Sequence, residues 1–461
     1  MTSTAVARYF GFSLLLLGAA MIAPAAVALF QANGAAGNYI FGAAVTLFCG
    51  GALLLLAGGG AQSVGFRSTL LLIFLWWAAA PLFGALPLWL DGWTLVDGYF
   101  EIVSAMTTTG ASLDGRGYME GRVDLVWKAV LQWLGGLTSL AIAASVFIRP
   151  AFVGTDIAPP SFSRGERDSY VHSIALAIRS FAGVYLLITL ALVLALSLTG
   201  LTKIDSAILA MSTVASGGIV PHADGFGGFA PIVSLLVAPF ILISGFNFIL
   251  IDRAAHGKGI ARRDSETIVY LVLIAVVGVA MWAFAGARDL PSSLFNAASL
   301  FATNGVTIGT PPSLVFALVT VIIGGSAVST AGGLKILRWI VIMRRTRLEV
   351  RRLVLPSAVF GPKSASNELG VWMHFLVFTV VLGLLTAGLT AGGHSFEISA
   401  AGAVGALANA GPVLGLTEDG AEGYQTFKDA PVRLILVAGM ILGRLEGVAA
   451  LMLINRTFWR G

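Results

Sequence analysis

The sequence predicts an all-α integral membrane protein, in which an N-terminal two-helix hairpin precedes four pseudo-symmetric repeats of span, short helix with loop, and span. Three observations carry this expectation. Of 461 residues, 57% are hydrophobic and 11% charged, whereas soluble domains carry about 25% charged residues. Apolar runs long enough to cross a ~30 Å hydrocarbon layer as helices recur from Tyr9 to Ile454. Shorter, less apolar segments, each with a glycine-containing loop, recur between alternate runs.

The first run, Tyr9 to Phe30, follows Arg8 as a signal peptide would, yet it exceeds an h-region and offers only Ala23-Pro24-Ala25 as a cleavage hint. A second run, Tyr39 to Leu56, follows a short Gly/Asn turn, so residues 1–62 read as a retained transmembrane hairpin. Spans follow near 66–90, 126–148, 171–199, 229–251, 267–286, 312–345, 368–392 and 430–456, giving ten crossings with both termini on one side. Segments near 95–112, 205–219, 291–306 and 397–412 are too short to span and read as re-entrant. The repeats are then 63–150, 151–255, 256–352 and 353–461. The sole cysteine, Cys49, lies in the second run, which excludes disulfides and cysteine-metal sites.

Charge tests this topology. A cytoplasmic N-terminus puts most basic residues on the same side, from Arg8 and Arg67 through the Arg338 to Arg352 cluster to Arg456 and Arg460, as the positive-inside rule requires. The formal charge of +5 therefore reports orientation and gives no nucleic-acid signal. On the opposite face acids outnumber bases about two to one, Asp91, Asp97, Glu101, Asp114, Asp124, Asp289 and Glu418 among them. A negative vestibule of that kind concentrates cations.

The first loop reads Met106-Thr107-Thr108-Thr109-Gly110-Ala111-Ser112. Hydroxyls and exposed carbonyls suit a dehydrated monovalent cation, and non-helical backbone at membrane depth is tolerated only where it is buried or lines a water-filled path. The same grammar returns at Ala215-Ser216-Gly217, Thr303-Asn304-Gly305 and Asn409-Ala410-Gly411. A single such loop is ordinary packing of small residues between helices. Four in the same place within four repeats read as a ring of carbonyls around one central pore, with Thr108, Thr109 and Gly110 as the first quarter. The loop glycines Gly110, Gly217, Gly305 and Gly411 stand 107, 88 and 106 residues apart. The short helices would aim their negative C-terminal ends at the membrane centre, where a cation needs compensation.

Three runs carry a family resemblance. Thr107 to Ser112 resembles the first selectivity-filter loop of the Trk/Ktr/HKT family of potassium-translocating subunits. Gly324-Gly325-Ser326-Ala327-Val328-Ser329-Thr330-Ala331-Gly332-Gly333-Leu334-Lys335 resembles the glycine-rich segment that interrupts the second span of the family's third repeat. Met440 to Glu446 resembles the signature of its last span, and the N-terminal hairpin points to the Trk branch. The resemblance runs from about residue 66 to the end. It implies potassium uptake across the bacterial inner membrane with no enzymatic step and no cofactor, potassium being bound at the four loops. It also implies a homodimer in membrane lipid and a cytoplasmic ring of nucleotide-binding regulatory subunits, with the Arg338 to Arg352 stretch as the expected contact. In that family serine at the first filter glycine goes with sodium preference, so Gly110 implies potassium. Two departures, Ala302-Thr303-Asn304-Gly305-Val306 in place of a Thr-rich run ending Gly-Tyr, and Val413 after Gly411-Pro412, keep sodium or non-selective monovalent cation transport as the alternative.

Glycine costs up to ~1 kcal/mol relative to alanine in a helix, so Gly324, Gly325, Ser326, Ala327, Ser329, Gly332 and Gly333, together with Lys335, read as a segment that cannot stay helical at mid-membrane and gates a pore. Close packing through small residues is the other reading. Arg444 lies in the last apolar run, where a charge costs at least ~2.5 kcal/mol. It reads as facing the pore below the filter and contacting carbonyls of the 324–333 segment, with a structural ion pair as the alternative and Glu446 pointing elsewhere. Other classes fare worse. A membrane-embedded lipid or glycan enzyme needs a carboxylate or histidine pair, for which Asp97 and Glu101 are the candidate, and an acidic mouth explains them equally. A proton-coupled carrier of organic solutes would place more ionisable residues within its spans. His172, His222, His256, His374 and His394 lack metal-ligand spacing.

Overall fold

Hydrocarbon leaves a backbone no partner but itself, and all regular structure among the described residues is helical. The computed structural model describes residues 2–58, 64–114, 122–147, 170–222, 224–257, 264–284, 289–354, 369–417 and 420–446. The hairpin is α1 (Thr2–Ala20), continued by α2 (Ile22–Phe30) and packed along α3 (Ala36–Ala57). The expected span 66–90 is three stacked pieces, α4 (Phe66–Ala78), α5 (Ala80–Gly84) and α6 (Leu86–Leu90). Proline opens the last two, where its missing N–H is no loss. Then come α7 (Leu95–Met106), α8 (Val123–Ile142) with a π-helical turn at Ala143–Phe147, α9 (Tyr170–Ser197), α10 (Lys203–Val214), α11 (Pro231–Gly245) and α12 (Phe248–Ala255). The chain continues through α13 (Ser265–Phe284), α14 (Leu290–Phe301), α15 (Leu314–Ile323), α16 (Ile336–Val354), α17 (Leu369–Ala391), α18 (Phe396–Leu407) and α19 (Ala430–Arg444).

Among the described residues seven segments are long and apolar enough to cross a membrane: Thr4–Phe30, Ala36–Ala57, Phe66–Leu90, Val123–Val146, Tyr170–Ser197, Ser265–Phe284 and Leu369–Ala391. The other three expected crossings are interrupted, and each is the second span of its repeat. The run 229–251, expected to be one span, bends by 106° between α11 and α12. The cause is local: Phe246 is extended, and the Asn247 side chain accepts the Ile249 N–H at 3.1 Å, capping a new helix. The run 312–345 is helical only to Ile323 and again from Ile336. In the last repeat α19 stops at Arg444, so this residue stands in a terminal turn and not mid-helix as its run predicted. Residues 447–456 of that expected span, with Arg460 and Glu418, lie outside the described residues.

Burial is arranged for lipid. Large apolar side chains such as Phe48, Leu194 and Phe284 face outward, while the short helices α7, α10, α14 and α18 are buried along most of their length.

Candidate functional site

The four short helices are built alike from their first residue. Each has 12 residues. Each is capped by a side chain that accepts the N–H three residues on: Thr94 from Asp97, Thr202 from Asp205, Asp289 from Ser292 and Ser395 from Ile398. Its capping bonds to the Ser292 backbone N–H and side chain hold the Asp289 carboxyl below its ordinary range. Each helix ends identically too. The residue after the C-cap is left-handed, Thr108 at φ 55°, Ser216 at 57°, Thr303 at 54° and Asn409 at 53°. The next N–H returns to a carbonyl five residues back: Thr109 to Ser104 (2.8 Å), Gly217 to Ser212 (2.7 Å), Asn304 to Ser299 (2.9 Å) and Ala410 to Gly405 (2.8 Å). This is the six-to-one bond of a Schellman end, normally made with glycine. Here Thr, Ser and Asn hold the position, a strain of order 1–3 kcal/mol each that repeats at four equivalent places.

The four ends meet in a ring. A Cβ on Gly110 would collide with the Gly217 carbonyl oxygen of the second loop, and one on Gly218 with the Asn304 carbonyl oxygen of the third. The Gly411 N–H donates to the Thr109 carbonyl at 2.7 Å, closing the fourth loop on the first. The Pro412 ring lies 3.6 Å, 2.8 Å and 3.2 Å from the Cβ positions of Gly110, Gly218 and Gly305, so one residue of the fourth loop faces the other three. Gln132 on α8 donates its amide to the Gly217 carbonyl at 2.7 Å.

Directly against the left-handed residues lies the interrupted part of the α15–α16 span. Gly324 and Gly333, at φ 74° and 73°, abut one another, and the Leu334 N–H reaches the Ile322 carbonyl at 2.9 Å, so residues 324–333 bulge out of the span as a closed loop. The bulge is clasped by the α11–α12 break. Ser326 N–H donates to the Gly245 carbonyl (3.0 Å), Phe248 N–H to the Val328 carbonyl (2.6 Å) and Thr330 Oγ1 to the Ser244 carbonyl (3.0 Å). Glu266 on α13 accepts the Ala327 N–H at 2.6 Å and the Asn247 amide at 3.3 Å. Toward the ring, Thr330 Oγ1 lies 2.7 Å from Ser216 Oγ, and Gly332 N–H donates to Thr303 Oγ1 at 2.7 Å. Lys335 Nζ donates to the Ala331 carbonyl, and it, Gly332, Gly333, Ser329, Arg444 and Glu446 line a cavity of about 40 Å³.

Arg444 joins the two parts. Its guanidinium donates to the Thr107 carbonyl, to Thr108 Oγ1, and to the Thr330 carbonyl at 3.0 Å. Among the described residues it has no carboxylate partner, whereas Glu446 pairs with Arg338.

Thr108, Thr109, Gly110, Ser216, Gly217, Thr303, Asn304, Gly305, Asn409, Ala410 and Gly411 all come together here, as do the 324–333 residues, Lys335 and Arg444. The second loop differs by one residue from its sequence reading. Gly218, at φ 72°, matches Gly110 and Gly305, and Gly217 matches Thr109, so Ala215 is the C-cap and stands outside the triplet. Of the two carboxylates read as an acidic mouth or a catalytic pair, Glu101 is buried against Lys128 at 2.6 Å, away from any mouth, and Asp97 pairs with Arg433. Glu101 also accepts the Leu113 N–H at 2.5 Å and Ser112 Oγ at 2.9 Å, fixing the chain after the first loop. Asn296 does the same in the third, accepting the Ile308 N–H at 2.8 Å. Asp114 and Asp124 are held by Arg122. Gln132, Glu266 and Gly218 were missed by sequence reasoning; the signal for Gln132 was a polar residue in an apolar span, which marks function or a buried partner, whereas Glu266 stands just before its expected span among other polar residues and carried no such signal. Among the described residues no three His, Cys, Asp or Glu gather as metal ligands.

The family model described as TrkH, cation transport protein, matches residues 38–269 and 301–457. Similar proteins include the Trk system potassium uptake protein TrkH of Salmonella typhimurium, 29% identical over 99% of this chain and 99% of that one. The protein of the same description from Halomonas elongata is 28% identical over 99% of each chain. TrkG of Escherichia coli is 29% identical over 98% of this chain and 97% of its own. The crystal structure of the potassium transporter TrkH from Vibrio parahaemolyticus has a TM-score of 0.87 to this chain at 27% identity, covering 100% of both.

Proposed function

The chain belongs to the TrkH family of cation transport proteins, and from that premise we propose that it takes up potassium across the bacterial cytoplasmic membrane through a filter made by its four loops. The observation that carries the reading is the fourfold recurrence of one strained loop geometry at one ring, with the C-terminal ends of four helices converging on it. Those ends each bring roughly half a negative charge, and loop carbonyls replace a cation's hydration shell. The names of the relatives support potassium as the ion.

The 324–333 bulge is the gate in this proposal, and Arg444 is its electrostatic latch. A cation passing the ring meets Thr330, Gly332 and the Arg444 guanidinium packed against it, and Coulomb repulsion is strong where the dielectric is low. Opening requires the bulge to leave Ser216 and Thr303. Movement of α16, which begins where the bulge ends, would do this. We place both termini and the Arg338 to Arg352 stretch in the cytoplasm, where a nucleotide-binding ring would act on a homodimer of this chain.

Asn304 supports the second reading, sodium or non-selective transport: where the first loop has Thr109 the third has an amide, which donates to the Thr213 carbonyl and Ser244 Oγ at 3.4 Å. Potassium and sodium flux into liposomes containing the purified protein alone tests both. Potassium-selective flux is expected; equal flux of the two ions rejects the filter, and no flux of either rejects an unassisted pathway.

A further inference from the structure

We infer that the cavity between the hairpin turn, the end of α6 and the start of α8 binds a primary ammonium group, from a free alkylamine or from the ethanolamine headgroup of a lipid. The cavity measures about 180 Å³, below the roughly 300–1,000 Å³ of pockets for drug-sized ligands, so its occupant is one small solute or one headgroup. Three parts of the chain build it. Asn38 and Tyr39 come from the first turn of α3, Leu88 and Asp91 from the end of α6, and Asp124 from the start of α8. Trp93, which also lines it, directly precedes the Thr94 cap of α7, so the cavity lies on the side from which the short helices enter.

The polar groups that line this cavity are unmatched. Tyr39 is only 4% exposed, yet its hydroxyl, within electrostatic reach of both Asp91 and Asp124, has no hydrogen-bond partner among the described residues. A buried phenol normally finds one. The Asn38 amide and the Asp91 carboxylate are likewise without a side-chain partner among the described residues. Phenol, amide and carboxylate each supply an acceptor oxygen, and a primary ammonium carries three N–H donors and no acceptor.

Charge selects a cation. Arg122 is held by Asp114 and Asp124, and Lys128 by Glu101 at 2.6 Å with Asp124 4.0 Å away. With Asp91 that sets four carboxylates against two cations around the cavity, a field that repels anions and attracts a positive ligand. A bare inorganic cation would leave the apolar wall of Pro87, Leu88 and Trp93 unused, whereas the carbon chain of an alkylamine covers it. The Trp93 ring is of a kind that attracts ammonium groups, and Lys128 Nζ already stands 5.8 Å from its centroid. A quaternary ammonium has no N–H to give, so it would leave the three acceptors unpaired, which costs affinity.

The test uses the full-length protein in detergent. Titration calorimetry with propylammonium chloride is expected to show saturable binding at least ~10-fold tighter than that of tetramethylammonium chloride at the same ionic strength. Native mass spectrometry with phosphatidylethanolamine and phosphatidylcholine tells the two sources apart. A preference for phosphatidylethanolamine assigns the lipid headgroup, and equal binding of the two lipids beside propylammonium binding assigns the free amine. Asp91→Asn should weaken whichever ligand binds by at least ~10-fold, and Tyr39→Phe should weaken it less. Asp224→Asn, a change at an acid 81% exposed elsewhere in the chain, should leave it unchanged. The assignment is overturned if neither ligand binds, if tetramethylammonium binds as tightly as propylammonium without a phosphatidylethanolamine preference, or if the preference for a primary ammonium survives Asp91→Asn in a monodisperse sample.

Discussion

Replacing Gly110 by alanine tests the filter at its tightest point. Two costs are fixed by the structure. At φ 73° a side chain enters the left-handed region, which costs roughly 1–2 kcal/mol. The new Cβ also falls within 3.0 Å of the Gly217 carbonyl oxygen, closer than real Cβ atoms approach. That oxygen already accepts the Gln132 amide at 2.7 Å, so it cannot yield without breaking a buried bond, and the first and second loops must separate. Gly218→Ala meets the Asn304 carbonyl in the same way, whereas Gly305→Ala at φ 71° meets only the Pro412 ring at 3.2 Å, which a small shift relieves. A graded outcome follows. In liposome flux, the potassium-to-sodium permeability ratio should fall at least ~10-fold in Gly110→Ala and Gly218→Ala, ~1.4 kcal/mol of discrimination, and clearly less in Gly305→Ala. Gly110→Ser should fall in the severe class. An unchanged ratio in a well-folded Gly110→Ala protein, or a larger loss at Gly305 than at Gly110, refutes the reasoning.

Shortening the bulge within Gly324 to Gly333 should raise flux and lessen its dependence on a regulatory partner; wild-type flux from a folded deletion would make the segment packing alone. Arg444→Ala should also raise flux, and because its bonds go to the Thr107 and Thr330 carbonyls and the Thr108 hydroxyl and not to a carboxylate, thermal unfolding should register the loss of charged hydrogen bonds, about 1.5–3 kcal/mol. Arg444→Lys should restore the block. Lys128→Met strands the buried Glu101 and should cost ~3–5 kcal/mol, read as a lowered unfolding midpoint, with Lys128→Met/Glu101→Gln recovering part; an unaltered single variant would remove the pair from the filter's support.

The apolar runs made the spans legible because hydrocarbon thickness sets their length, and the glycine-rich stretch at 324–333 was legible because such a stretch cannot remain helical. What escaped was either register or partnership. In the second loop Ser216-Gly217-Gly218 offers two glycines, and matching the hydroxyl-glycine pair to Thr109-Gly110 selects the wrong one. The helix start resolves it: Thr94, Thr202, Asp289 and Ser395 each stand 16 residues before Gly110, Gly218, Gly305 and Gly411. Capping chemistry, which is local, therefore carries the register that loop composition hides. Partnership has no such local mark. Glu101 near an acidic face reads as part of a vestibule until Lys128, 27 residues on, is found against it, and only the structure shows Asn247 capping the break on which the bulge rests. A ring of four loops can be strained at each quarter only if the surrounding spans over-determine it, so the polar residues in and beside those spans, Gln132, Asn247, Glu266 and Arg444, are the ones whose hydrogen bonds hold the ring and the bulge together.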